Sequence, residues 1–202
     1  MSKKQETTNF YRMQLPHWEV RDGVYFVTLR RAGTIPEIAM KKIQTLREQL
    51  DKVEGSEIIE IKRKIFLAIE KSLDSSRINC DLIKGSTPSI LIDAIENRAN
   101  RKKWRMIEYV IMPNHIHLFL GDISSSLKKV MTDFKRWTSQ QIAKSSSTAT
   151  SGTFWQSEWF DHWSRSGDSD MKIVDYIRNN PVKAGLVKDY REWPYSSWNT
   201  KK

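Results

Sequence analysis

Two β-type runs stand almost end to end in this 202-residue chain, and their adjacency constrains the fold more than any other feature. Residues 104–112 (WRMIEYVIM) and 115–120 (HIHLFL) are rich in β-branched, aromatic and aliphatic side chains, with only Pro113-Asn114 between them. So short a polar break predicts a tight antiparallel hairpin. Alternation along the second run puts His115 and His117 on one face and Ile116 on the other, toward a core. An earlier run at 24–31 (VYFVTLRR), bounded by Asp22-Gly23 and Gly33, predicts another strand, and the aromatic stretch 154–165 (FWQSEWFDHWSR) a fourth.

Helical periodicity fills the rest. Pro36 suits a first helical position ahead of Ile38, Ile43, Leu46, Leu50 and Val53. A second helix is expected from Glu57 to near Leu73, and a third over 89–97. This middle region, about 35–100, reads as a highly charged helical insertion without chemistry of its own. After the hairpin, a serine at 124–126 can cap a helix reaching about Ala143, with Leu127, Val130, Met131, Phe134 and Ile142 as its buried stripe. A last helix opens at Ser166 or Asp168, runs to about Asn180 and stops before Pro181. Residues 1–10 and the Ser/Thr-rich 145–152 are expected to be flexible, leaving 11–202 as one domain.

Charge narrows the partners. Lys and Arg number 34 against 24 Asp and Glu, a formal charge of +10 that favours a polyanion. No stretch approaches the roughly 20 apolar residues of a spanning helix, so no membrane partner is expected. The first residues hold no apolar core of a secretory signal. One cysteine, Cys80, excludes an internal disulfide or a thiolate cage, and a cytoplasmic location is expected.

Two sets of residues stand out. His115 and His117, two apart on a strand, can share a metal ion, although such pairs are also ordinary strand residues. Tyr176 and Asn180 are i and i+4 on the last helix, hence on one face. A core tyrosine and a C-terminal cap are the ordinary alternatives. Arg101, Lys102, Lys103 and Arg105 cluster at the entry to the hairpin. Lys128, Lys129, Lys135 and Arg136 recur by sevens on the following helix, opposite its apolar stripe. Both clusters suit phosphate contact or simple solvated surface. Trp104, Trp137, Trp155, Trp159 and Trp163 offer surfaces for unpaired bases, or belong to the core.

At this point the sequence resembles a known family. VIMPNHIHLFL is similar to the His-hydrophobic-His motif of single-tyrosine, IS200-type transposases. YIRNNPVKAGLV followed by WPYSSW resembles the REP-associated tyrosine transposases within that superfamily. LPHWEVRDGVYFVTLRR and FWQSEWFDHWSR agree in character, so the likeness spans most of the chain outside residues 1–10, parts of the helical middle and the Ser/Thr linker.

The resemblance implies an α+β, ferredoxin-like antiparallel sheet flanked by helices. Tyr176 would be the nucleophile, and His115, His117 and the more variable position Asn180 the metal ligands. It implies a transposase-like endonuclease and strand transferase, acting through a 5′-phosphotyrosine on single-stranded DNA with a hairpin beside a short recognition tetranucleotide. Mg²⁺ or Mn²⁺ would suit two imidazoles and an amide oxygen. Lys183 could assist the phenol's proton or contact phosphate, and the general base stays unassigned. Monomer and homodimer both occur among such enzymes. Two other readings stand beside this one: a domesticated, non-catalytic hairpin-binding protein and a metal-dependent phosphoesterase.

Overall fold

A computed structural model describes residues 6–76, 78–145 and 152–200. Its frame is a four-stranded sheet built from β3 (Val24–Arg30), β4 (Arg105–Ile111), β5 (His115–Gly121) and β6 (Phe160–Ser164). The strands run β4-β5-β3-β6 across the sheet, every neighbour antiparallel. Before β3 lie β1 (Thr7–Arg12) and β2 (Pro16–Val20), a two-stranded ribbon. Helices α1 (Glu37–Leu50), α2 (Ser56–Ser75) and α3 (Thr87–Asn100) separate β3 from β4, and α4 (Leu127–Ser145) separates β5 from β6. The result is a β-α-β-β-α-β succession with the first and third strands central, which is the ferredoxin-like arrangement. Helix α5 (Gly167–Lys183), a 3-10 turn (Tyr190–Glu192) and the short α6 (Ser197–Thr200) complete the chain.

Alternation divides the sheet into two chemically different faces. Tyr25, Val27 and Leu29 of β3 join Ile116, Leu118 and Leu120 of β5 in a core covered by α3 and α4, through Leu91, Ile95, Met131 and Phe134. Each such fully buried aliphatic or aromatic side chain contributes roughly 1.5–3 kcal/mol of burial. Phe26 and Phe119 lie on the opposite face, in a second core covered by α1, α2 and α5 through Ile43, Ile65, Ile69 and Ile177. Thus α3 belongs to the ferredoxin-like layer, and α1 and α2 are the additional helices. They sit on the face that carries the histidines.

The hairpin forms as expected, closed by the Met112 N–H to the His115 carbonyl at 2.8 Å. Ser126 Oγ receives the Lys129 N–H at the start of α4, and Ser166 caps α5 through the Ser169 N–H. Three details differ. A strand begins at Thr7, within residues expected to be frayed, because it pairs with β2 from Val20 to Pro16. Helix α5 continues through Pro181 to Lys183. Proline lacks the N–H that would bond Ile177, but Ile177, Asn180 and Pro181 are all buried there, and packing holds the last turn. The strand expected over 154–165 is confined to Phe160–Ser164, with a single bridge from Trp155 to Arg31 before it. Most of the 145–152 linker falls outside the described residues.

Candidate active site

The hairpin turn delivers His115 and His117 to the α2/α5 face at the start of β5, both fully buried. Asn114 donates from Nδ2 to the Leu73 and Ser76 carbonyls at the end of α2, at 3.1 and 3.4 Å. Its Oδ1 is thereby turned to accept from His115 Nδ1 at 2.7 Å. His117 Nδ1 is 2.9 Å from Thr28 Oγ1 on the neighbouring strand. With both Nδ1 atoms so engaged, the two Nε2 atoms face one another, 3.1 Å apart.

Helix α5 brings its residues over this pair. The Tyr176 ring packs edge-on to His117 at 5.5 Å and to Phe26 at 5.8 Å. Asn180, one turn on, is buried beside His115 and Tyr176, and its amide atoms make no hydrogen bond of full geometry to either. Lys183 reaches the edge of the site, 5.9 Å from the Tyr176 ring and paired at 2.8 Å with Asp74 of α2.

Glu70 also belongs to the site, although no motif in the sequence around it suggested chemistry. It stands on α2, in the region from which no chemistry was expected, and its Oε2 lies 3.2 Å from His117 Nε2. The same oxygen accepts the Tyr176 hydroxyl, while Oε1 is buried without a partner. One signal was available: Lys62 and Glu70 are charged residues on the stripe of α2 that also holds Ile61, Ile65, Ile69 and Leu73. A charge placed there must be paired or functional.

Electrostatics follow from this burial. Desolvation would push the Glu70 carboxyl up, but His117, His115 and the Tyr176 hydroxyl outweigh it and hold it down near about 2. Burial and then neighbouring His117 push His115 down to about 3, so it is neutral at physiological pH. Burial, reinforced by Glu70, pushes the Tyr176 phenol well above its ordinary value.

Glu70, His115 and His117 offer ligand atoms all within 4.8 Å of one another. Together with the orphaned amide of Asn180 they fit a divalent cation: two imidazole nitrogens, a carboxylate and an amide oxygen, all withdrawn from water.

The other candidate residues are not gathered here. Arg101, Lys102, Lys103 and Arg105 lie at the start of β4, where Arg105 pairs in register with Gly121. That is the far end of β5, roughly 20 Å from His115 at strand rise. Arg105 is bound there to Asp122. The lysines of α4 ride on a helix covering the opposite face. Lys128 lies over Tyr11, Lys135 donates to the Ser157 carbonyl, Arg136 pairs with Asp133, and Lys129 is exposed. Trp104, Trp155 and Trp159 are core residues, whereas Trp137 is 39% exposed.

A second buried polar cluster lies between β2, α2 and β6. His17 Nδ1 bonds Asp161 at 2.7 Å, and Lys62 bonds the other oxygen of Asp161 and the Pro16 carbonyl, both at 2.8 Å. Glu158 accepts the Leu15 N–H at 2.6 Å, beside His17 Nε2 at 3.4 Å. His17 therefore has close neighbours that its isolation in the sequence concealed. Against burial, hydrogen bonds accepted by the Asp161 and Glu158 carboxylates raise its pKa. Burial and nearby Arg47 lower Arg30 to about 10, so it remains charged at neutral pH.

With the geometry in place, comparison with known proteins is direct. A 17% identical solved structure, that of a REP-associated tyrosine transposase bound to a REP hairpin, superposes with a TM-score of 0.60 over 94% of this chain and 82% of that one. It shares the fold. A REP-associated tyrosine transposase of Haemophilus influenzae is 28% identical over 134 residues, 58% of this chain and 76% of that protein. One from Escherichia coli is 32% identical over 93 residues, 45% of this chain and 52% of its own length. The family model described as "Transposase IS200 like" matches residues 77–180, more than half of the chain and a span that includes His115, His117, Tyr176 and Asn180. The chain belongs to the IS200-like transposase family.

Proposed function

We propose that this protein nicks and rejoins single-stranded, hairpin-bearing DNA through a covalent bond to Tyr176, with a divalent metal held by His115, His117 and Asn180, and that Glu70 joins that set. The observation carrying this reading is the burial, against the Tyr176 phenol, of two imidazole nitrogens that face one another and the Glu70 carboxylate, beside a carboxylate oxygen and an amide that make no hydrogen bond. Such a cluster is costly unless a ligand satisfies it.

The steps use this chain's own groups. Tyr176 is held edge-on against His117 and Phe26, which fixes the direction of its oxygen. In the reaction that oxygen attacks phosphorus, the bond to the 3′ oxygen breaks, and the products are a 5′-phosphotyrosine and a free 3′-hydroxyl. The phenol must lose its proton, and Glu70, already accepting that hydrogen, is the group in place to take it. Protonation of the departing 3′ oxygen balances the step, and attack by another 3′-hydroxyl reverses it without a nucleotide cofactor. A bound divalent cation would supply the positive charge that phosphoryl transfer demands at the non-bridging oxygens. Mn²⁺ or Mg²⁺ fits the donor set, Mn²⁺ being the better match to imidazole.

Incubation with a labelled hairpin oligonucleotide and Mn²⁺, followed by denaturing electrophoresis, tests the reading. Wild-type protein should carry the label covalently and Tyr176→Phe should not. Label retained by the variant would refute the assignment, and hydrolysed ends without an adduct would identify a phosphoesterase.

A further inference from the structure

Next to the histidines lies a pocket holding more positive charge than its surroundings neutralise. Thr28 and Arg30 leave β3 on the histidine face, and Arg30 stands directly across from His115 in the strand register. Both line a narrow pocket with Arg47 of α1, Glu158 and Phe160. Arg30 is only 7% exposed. Among the described residues its guanidinium makes no hydrogen bond or ion pair. Glu158, the one carboxylate of the pocket, is already committed: it accepts the Leu15 N–H at 2.6 Å and lies 3.7 Å from Arg47. Lys135 also acts on Glu158. Arg30, Arg47 and Lys135 therefore share a single carboxylate, and Arg30 has no counter-ion to itself. A largely buried guanidinium that shares its only carboxylate is weakly compensated. Its natural complement is an anion brought by a ligand.

We propose that Arg30 and Arg47 form an anion subsite for a phosphodiester of the bound DNA strand, adjacent to the one that Tyr176 attacks. This rests on the DNA-processing reading above and adds to it the element that sets where the strand lies. A phosphate suits the pocket because planar guanidinium forks match paired phosphate oxygens. A neutral base edge would leave the charge excess in place. Thr28, hydrogen-bonded to His117, is the wall between the two sites. A phosphate gripped on one side of that wall fixes its neighbour on the other, which is how contacts to the backbone register a strand for chemistry.

The test titrates the full chain, in the presence of chelator, with two fluorescent single-stranded probes of equal length across a salt series. One is oligothymidylate, and the other contains guanines. Loss of one phosphate contact should weaken binding to both probes by about tenfold. It should also reduce the salt slope by about 0.7, the value for one phosphate on single-stranded DNA. Arg30→Gln is expected to do both, with a melting temperature unchanged or raised because an unpaired buried charge has gone. Arg30→Lys should recover part of the affinity, and Arg47→Gln should also lower the slope. An unchanged slope for Arg30→Gln overturns the proposal. So does a loss confined to the guanine probe, which would make Arg30 a base reader, or a lowered melting temperature, which would make it structural. Wild-type protein that binds neither probe, nor a hairpin carrying either of them as a single-stranded tail, would instead refute the DNA-processing reading itself.

Discussion

One buried histidine cluster faces α2 and α5, the other lies at the β6 edge where Asp161 pairs with Val27 of the opposite core, and they are built on opposite terms. At His17 the Asp161 carboxylate is matched, receiving hydrogen bonds from His17 and Lys62, and Lys62 also reaches a backbone carbonyl, while one oxygen of Glu158 makes no hydrogen bond and lies 3.7 Å from Arg47. Around His115 and His117 the polar atoms are left over, with Oε1 of Glu70 and both amide atoms of Asn180 unpartnered. Burial is similar in the two, so burial does not separate a polar core from a site. What separates them is how their carboxylates are paired: Asp161 and Glu158 each face a lysine or arginine, whereas Glu70 faces an imidazole and a phenol. A matched network ties β2, α2 and β6 together, whereas an unmatched one waits for something outside the chain.

The sharpest way to break this contrast is through chemistry. Tyr176→Phe should reduce the covalent DNA adduct to nothing detectable while the fold and strand binding persist, as read by gel and by far-ultraviolet circular dichroism. No substitution at His17 should do that without unfolding the protein.

Next in size is stability. Asp161→Ala removes the shared partner of buried Lys62 and His17, and breaking the Lys62 pair costs about 3–5 kcal/mol. Urea denaturation should show that loss. His115→Ala takes away no completed ion pair and should cost less.

Metal gives a smaller, selective effect. Mn²⁺ at a hundred times its dissociation constant should stabilise wild-type protein by about 2.7 kcal/mol. His115→Ala should abolish the increment, Glu70→Gln should weaken it, and His17→Ala should leave it intact.

Close to neutrality the effect of pH is the smallest, and the histidines of the two clusters should respond with opposite sign. His115, held near about 3 by burial and by His117, gains a proton more readily when unfolded, so its neutral burial lowers stability as pH falls below about 6.5. Glu70, held near about 2, adds to the loss as pH falls through the carboxylate range. His17, with a raised pKa, contributes stability that is complete below the unfolded value and is lost as pH rises through its folded one. Comparing urea midpoints of wild type, His115→Ala and His17→Ala across pH separates the two slopes.

Legibility in the sequence followed the range of the interactions. The β4–β5 hairpin and the shared face of His115 and His117 come from alternation within one strand and a two-residue break, so they were readable. The i,i+4 placement of Tyr176 and Asn180 was readable for the same reason. Glu70 was not, because it meets Tyr176 across 106 residues of chain. His17 reaches Asp161 across 144. The basic clusters were visible as charge, but which face of the sheet they serve depended on α4 covering the side away from the histidines.

The row Phe66, Glu70 and Asp74 along α2 meets the row Tyr176, Asn180 and Lys183 along α5: ring against ring, carboxylate to phenol, carboxylate to ammonium. This gives α2 a phase as well as a place. Lengthening the α1–α2 connection by a residue would be absorbed in the loop at Gly55. One residue inserted between Lys62 and Phe66 would turn the rest of the helix by about 100° and carry Glu70 out of reach of His117. Lineages of this protein should therefore tolerate length changes freely ahead of α2 and resist them within it.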